Sequence, residues 1–160
     1  MAKLVYYLHM EITKIPEKIL AKKVGEISQE AIKKGEFDLL FSDMKKAMIE
    51  NKGVGLAANQ IGKDLAVFVI DEKLAKDNNV PSVYINPEIT EFSREKDEME
   101  EGCLSIPEYF IPIQRSKKIK IKALDDKGNK IKFKARGFLA RVLQHETDHL
   151  NGFTIKDRAK

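Results

Sequence analysis

The stretch QHETDHLNG at residues 144 to 152 carries two histidines four positions apart, His145 and His149, with Glu146 beside the first. On a helix that spacing stacks both imidazoles on one face, one turn apart, where they can grip a single metal ion. Phe138 and Val142 fall on the same stripe. Glu146 lies in the neighbouring stripe of Leu139, Leu143 and Leu150, an apolar setting that raises a carboxyl's pKa and suits it to proton transfer. Together these residues make the H-E-x-x-H pattern, in which the two His hold zinc and the Glu acts as a base rather than a ligand. A catalytic metal typically takes three protein ligands and leaves one position for water, so the helix is one ligand short. Cys103, the only cysteine in the chain, sits in EGCLSIP at 101 to 107. It is a candidate for the third place, because coordination holds a thiolate deprotonated. Taken alone, it reads as a small buried hydrophobe, and either His alone as an ordinary hydrogen-bonded residue.

These groups need elements to position them. The segment 137 to 152, bounded by Gly137 and Gly152, reads as a helix, with Gly152 where a C-terminus favours a left-handed residue. A second helix is expected over 36 to 50, where Phe37, Leu40, Phe41, Met44, Ala47 and Met48 recur at three- and four-residue spacing. A Lys-rich helix is expected over 17 to 34 from Ile19, Leu20, Val24 and Ile27, with Gly25 against it. LAVFVI at 65 to 70 reads as a buried strand, and SVYINP at 82 to 87 as a short strand stopped by Pro87. Glu88 to Glu101 is polar and acidic, an exposed loop or edge leading to the cysteine. KIKIKAL and KIKFKA alternate apolar and charged residues around DDKGN and read as a hairpin with one wet face. Strands in the middle with helices on either side predict an α+β domain.

Length and composition bound the class. The chain has 160 residues, 42% of them hydrophobic, enough for one core and little room for a second domain. One cysteine forms no internal disulfide, and the N-terminus has no basic, apolar and small-residue secretory pattern, so a reducing, cytoplasmic compartment is expected. No apolar run approaches the roughly 18 residues that cross a bilayer, so a soluble protein without membrane contact is expected. The net charge of +4 is uneven: residues 117 to 134 hold eight Lys against two Asp, which leaves the remainder at −2. Such a patch is either a solvated sheet face whose lysines discourage edge pairing or a docking surface for nucleic acid.

Three stretches, GVGLAANQ at 53 to 60, EGCLSIP at 101 to 107 and QHETDHLNG at 144 to 152, resemble in order the three signature motifs of the peptide deformylase family. The similarity runs from about Gly53 to Asp157 and extends weakly to PEKILAKKV at 16 to 24. It implies the family fold over 1 to 160: one compact α+β domain with antiparallel sheets packed around the C-terminal metal-binding helix. It also implies a metal-dependent hydrolase that removes the formyl group from the N-terminal formylmethionine of nascent polypeptides, releasing formate. The implied ligands of one divalent ion per chain are Cys103, His145 and His149. Fe²⁺ is the family's usual ion, and Zn²⁺, Ni²⁺ or Co²⁺ can replace it.

The resemblance also distributes the other roles. Glu146 takes the proton of the water that attacks the formyl carbon and passes it to the leaving amine. The Gln60 side-chain amide and the Leu104 backbone N–H form an oxyanion hole. Gly55 offers backbone to an extended peptide. Val54, Met99, Phe138 and Val142 surround the methionine side chain. Glu101 and Arg115 match an ion pair that braces the cysteine loop.

Departures from the family pattern are Asn59 where many members have Pro, Ala21 where Arg usually follows Leu, and a slightly long 25 to 36 segment. The eight residues after Gly152 leave no room for the long C-terminal helix that docks many bacterial members on the ribosome. The basic 117 to 134 hairpin is the candidate substitute, and a monomer in a bacterial, phage or organellar setting is expected. Two other readings compete. A different H-E-x-x-H peptidase would draw its third ligand from downstream, where no His follows 149, only Asp157 remains as an acid, and the one other His is His9. A non-catalytic metal-containing binding protein would be expected to have lost the base or the oxyanion donor.

Overall fold

The computed structural model describes residues 10–159, so His9 and the two ends of the 1 to 160 unit lie outside it. In chain order the elements are α1 (Gln29–Lys33), α2 (Asp38–Glu50), β1 (Gly55–Ala57), β2 (Val67–Ile70), α3 (Glu72–Asp77), β3 (Val83–Phe92), β4 (Lys96–Cys103), β5 (Ile106–Ser116), β6 (Lys118–Leu124), β7 (Lys130–Arg136), α4 (Gly137–Leu150) and α5 (Ile155–Arg158). Short 3-10 turns cover Lys18–Ala21 and Ala58–Ile61. Five strands form one sheet in the order β1-β2-β3-β6-β7, antiparallel throughout, and β4 with β5 forms a separate antiparallel ribbon. The chain is therefore the single compact α+β domain that the sequence predicts.

Successive residues of a strand face opposite sides of its sheet. β2 thus sends Phe68 and Ile70 into a cluster with Leu139, Ala140 and Leu143 of α4, and Val67 and Val69 into a second cluster with Phe41, Met44 and Met48 of α2. Covered on both faces, it reads as an unbroken apolar run. The α4 cluster continues through Tyr84 and Ile121, so the sheet seats the helix that carries both histidines. At the far end of α4, Gly152 has φ +84°, and a Cβ there would lie 2.8 Å from the Lys22 backbone. Conformation and close approach both require glycine at this point.

Two local expectations need correction. Residues 17–34 form a 3-10 turn and the five-residue α1 rather than one helix. Their amides are committed to distant acceptors: Val24 N–H donates to the Leu150 carbonyl, Gly25 N–H to Asp64 Oδ1 and Ile27 N–H to Asn86 Oδ1, bonds that outcompete the i to i−4 ladder. The short strand does not stop at Pro87 but continues to Phe92, because Asn86 takes φ +50° and the β3–β6 register shifts between Ile85 and Glu88, absorbing the proline's missing donor. Of the two alternatives for the acidic stretch the structure takes the edge: Lys96 onward forms β4, paired only to β5, exposed as far as Glu100 and leading into Cys103. Among the described residues no helix is long and apolar enough to cross a membrane.

Candidate metal centre and catalytic groove

His145 and His149 leave α4 from adjacent turns, as the i, i+4 spacing requires, and their Nε2 atoms lie 3.2 Å apart. Cys103 closes β4, where a tight turn through Leu104 and Ser105 leads into β5, and its Sγ stands 3.3 Å from His149 Nε2. The three donor atoms all lie within 4.8 Å of one another. A tetrahedral ion with bonds of about 2.0–2.1 Å to nitrogen and 2.3 Å to sulfur sets its ligand atoms roughly 3.3–3.6 Å apart. One soft thiolate and two imidazoles at this spacing therefore fit Fe²⁺ or Zn²⁺ and do not suit the hard, oxygen-seeking ions Mg²⁺ and Ca²⁺.

A buried charge network aims the first imidazole. Glu101 accepts from Arg115 Nε and Nη2, both at 3.0 Å, from Arg141 Nη1, and shares a 2.9 Å hydrogen bond with His145 Nδ1. That bond leaves His145 Nε2 facing the cysteine. Burial opposes the charge on Glu101, but the hydrogen bonds from His145 and Arg115 outweigh it and hold its pKa down at about 2. Burial likewise works against a charged His145, and hydrogen bonds to Cys103 and Glu101 override it, raising the imidazole to about 10. Surroundings that favour a proton there favour a cation. For His149 burial dominates, aided by the charge of His145, and its pKa falls well below the usual value.

Glu146 does not join the three converging ligands. It is only 4% exposed, its Oε2 has no hydrogen-bond partner, and burial pushes its pKa up to about 7. Gln60 is fixed by its own carbonyl: Oε1 accepts from the Ala57 N–H at 3.0 Å. Its amide nitrogen must then turn toward Ser105 Oγ at 3.2 Å and Cys103 Sγ at 3.7 Å.

Gln60, Cys103, His145 and Glu146 line one groove of about 590 Å³, whose walls include Val54, Gly55, Met99, Leu104, Phe138 and Val142. Val54, Met99 and Phe138 are each nearly half exposed, while Val142 is buried at the groove's base. β1 is an edge strand of the main sheet, with β2 on one side only. Gly55 leaves no space for a side chain: a Cβ there would sit 2.6 Å from Glu146 Oε1 and 2.9 Å from its Cγ. Gly55→Ala is accordingly expected to displace the Glu146 carboxylate and cut the catalytic rate by about 10²-fold, as misplacing a catalytic group by about 1 Å does. Steady-state kinetics of the variant against wild type will measure this.

Several residues of the site escaped the sequence reading. Arg141 is 4% exposed and holds the Ile113 carbonyl, the Asp97 carbonyl and Asp97 Oδ1 besides Glu101. Its place one turn before His145, inside a buried stretch of α4, was the available signal. Asp148 accepts from Arg115 and Arg158, and Ser105 from Gln60. Phe110, whose ring occupies the space a Gly102 side chain would need, completes the groove wall. Asn59 donates to the His149 carbonyl at 2.6 Å, a side-chain bond that a Pro there could not make.

Residues 9–160 match the family model described as polypeptide deformylase. The peptide deformylase of Dictyoglomus turgidum is 46% identical over 153 residues, which cover 94% of this chain and 92% of the relative. Among solved structures, peptide deformylase from Thermotoga maritima has a TM-score of 0.85 at 38% identity, covering 94% of this chain and 97% of its own. A Met-Ala-Ser-bound class I type b peptide deformylase from Acinetobacter baumannii has a TM-score of 0.84 at 32% identity, with 94% and 98% covered.

Proposed function

The chain belongs to the polypeptide deformylase family and is a metal-dependent hydrolase that removes the N-formyl group from nascent polypeptides, and from that premise we propose the part each side chain plays. Family membership does not favour a different H-E-x-x-H peptidase or a non-catalytic metal protein. The observation that carries the assignment is the convergence of Cys103, His145 and His149 within 4.8 Å, with the buried Glu146 beside them.

Cys103, His145 and His149 hold one divalent ion, Fe²⁺ in the cell, with Zn²⁺, Ni²⁺ or Co²⁺ able to use the same ligands. When bound, the ion supplies a Lewis acid that lowers the pKa of water and polarises the formyl carbonyl. Glu146 takes the proton of the attacking water and returns it to the leaving amine, a task for which a pKa near neutrality is suited. Gln60 Nε2 and the Leu104 N–H donate to the formyl oxygen as negative charge develops on it. Glu101 and Arg115 keep His145 in its tautomer and orientation.

The peptide adds to the free edge of β1 through backbone hydrogen bonds at Gly55. Val54, Met99, Phe138 and Val142 receive the methionine side chain. The exposure of Val54, Met99 and Phe138 supports this, since a water-facing apolar cluster beside a metal centre is what a thioether substituent would cover. The Acinetobacter relative, bound to Met-Ala-Ser, motivates formyl-Met-Ala-Ser as the test substrate. Anaerobically purified protein is expected to release formate from it, to lose activity on chelation and to regain it with Fe²⁺. Failure to release formate when fully metal-loaded would refute the assignment.

The enzyme acts as a monomer in the cytoplasm and meets the ribosome transiently through the β6–β7 hairpin. Cross-strand neighbours there carry like charge, Lys120 opposite Lys134 and Lys122 opposite Lys132, which is unfavourable without a polyanion. Glu91 and Glu88 reach only Lys120 and Lys122. Reversing Lys118, Lys120, Lys132 and Lys134 to Glu is expected to abolish ribosome co-sedimentation at low salt; unchanged co-sedimentation would eliminate this contact.

A further inference from the structure

A second groove, of about 910 Å³, opens on another flank of α4, floored by Gln144, Thr147 and Asp148. It shares Arg115 with the charge network but none of the metal-centre residues.

The exposed apolar side chains of the molecule sort between the two grooves. Val54, Met99, Phe110 and Phe138 line the catalytic one, where the substrate accounts for them. Phe92, 60% exposed, and Phe153, 42% exposed, line the second. The remaining exposed members among the described residues, Leu39 and Ile49, line neither groove.

The charges of the second groove are also unevenly committed. Arg115 and Arg158 are held by Asp148, and Glu88 is held by Lys122. Lys23, Arg94 and Lys96 line the groove, and among the described residues none of them has a carboxylate within ion-pair distance. Among the described residues Glu26 is the one lining carboxylate with no cation within ion-pair distance. Arg158 lies over the Phe153 ring, 4.8 Å from its centroid, so the open aromatic face of the groove is Phe92, beside three available cations and one available anion. Aromatic rings stack on nucleobases whatever their sequence, and Lys and Arg meet phosphate.

We propose that this groove binds a nucleotide, its base on Phe92 and its phosphate on Lys23, Arg94 and Lys96, presented either by single-stranded RNA or as a free nucleoside monophosphate. The site lies on the opposite side of the sheet from the lysines of the β6–β7 hairpin: Phe92 pairs with the core-facing Ile119, whereas Lys118 and Lys120 alternate to the other face. It is therefore a separate recognition surface, and it stands whether or not the hairpin contacts a ribosome.

The test is titration of the metal-loaded full chain, at low salt, with three probes: a fluorescent single-stranded RNA hexamer, AMP and inorganic phosphate. The proposal expects saturable binding of the hexamer or of AMP, at least tenfold tighter than phosphate. Phe92→Ala and the paired change Arg94→Gln with Lys96→Gln should each weaken it at least fivefold while formate release from a formyl tripeptide stays at the wild-type rate. Hexamer binding without AMP binding assigns the site to RNA, and AMP binding of equal strength assigns it to the free nucleotide. Phosphate binding as tightly as either, no saturable binding of any probe, or binding untouched by both variants overturns the proposal. Because binding is read without turnover, its failure leaves the deformylase assignment intact, and failure of that assignment leaves this one standing.

Discussion

Glu146→Gln is expected to lower kcat/KM for formyl-Met-Ala-Ser by about 10²–10⁴-fold, the span of a lost general base, while the protein keeps its metal. The amide is nearly isosteric with the carboxyl, and Glu146 is not one of the three atoms that converge on the ion site. Packing around it is undisturbed by the change, and Oε2, which has no partner to lose, leaves no broken hydrogen bond. What disappears is proton transfer alone. The wild type should show the same dependence through pH. Only the ionised carboxylate accepts a proton, so the rate falls tenfold per unit on the acid side of its pKa. Burial puts that pKa at about 7, and a bound cation beside it moves the limb to lower pH. Formate release across the neutral and acid range, with metal content measured on the same samples, checks both parts. An undiminished rate in the variant would remove Glu146 from the reaction.

Cys103→Ala is expected to abolish turnover by emptying the metal site. Two imidazoles one turn apart remain, but they are neutral ligands, and His149 is already held far from protonation by burial. The lost thiolate carries the only negative charge in the ligand set. Affinity should fall by more than the 10–100-fold typical of losing an outer partner, enough for dialysed protein to emerge with well under one equivalent of metal. The fold should survive, since Cys103 belongs to a small satellite cluster with Ile106, Ile111 and Ile113 rather than to either main core. Metal analysis after dialysis and a thermal melt of the apo protein provide the check. A full equivalent retained by the variant would mean that the third ligand lies elsewhere.

What the sequence made legible follows from how local each signal is. The α4 stripe and the β6–β7 hairpin are set by repeating patterns of 3.6 and 2 residues, and both elements appear where those patterns place them. The region 17–34 was not legible, because its conformation depends on acceptors at Asp64, Asn86 and Leu150, far along the chain. β5 went unread for another reason: Pro107 and Pro112 argue against a strand, and only its place in an isolated two-stranded ribbon tolerates them. The candidate site divides in the same way. His145, Glu146 and His149 are visible as one spacing, and the motif resemblance brings in Cys103, Gln60 and Glu101. Arg141 and Asp148 emerge only once β4, β5 and α4 are packed together, because each meets partners 10 to 44 residues away.

The edge of β1 is three residues long, and the Gln60 side chain already takes the Ala57 N–H, which leaves a short stretch of backbone at Gly55 to offer. A peptide bound as proposed is read there by chain direction and extension, not by side-chain identity. An N-terminus already tucked into a folded domain cannot present itself there. On the proposed binding mode the reaction has a time as well as a substrate: it runs before the first residues of the new chain find their own partners.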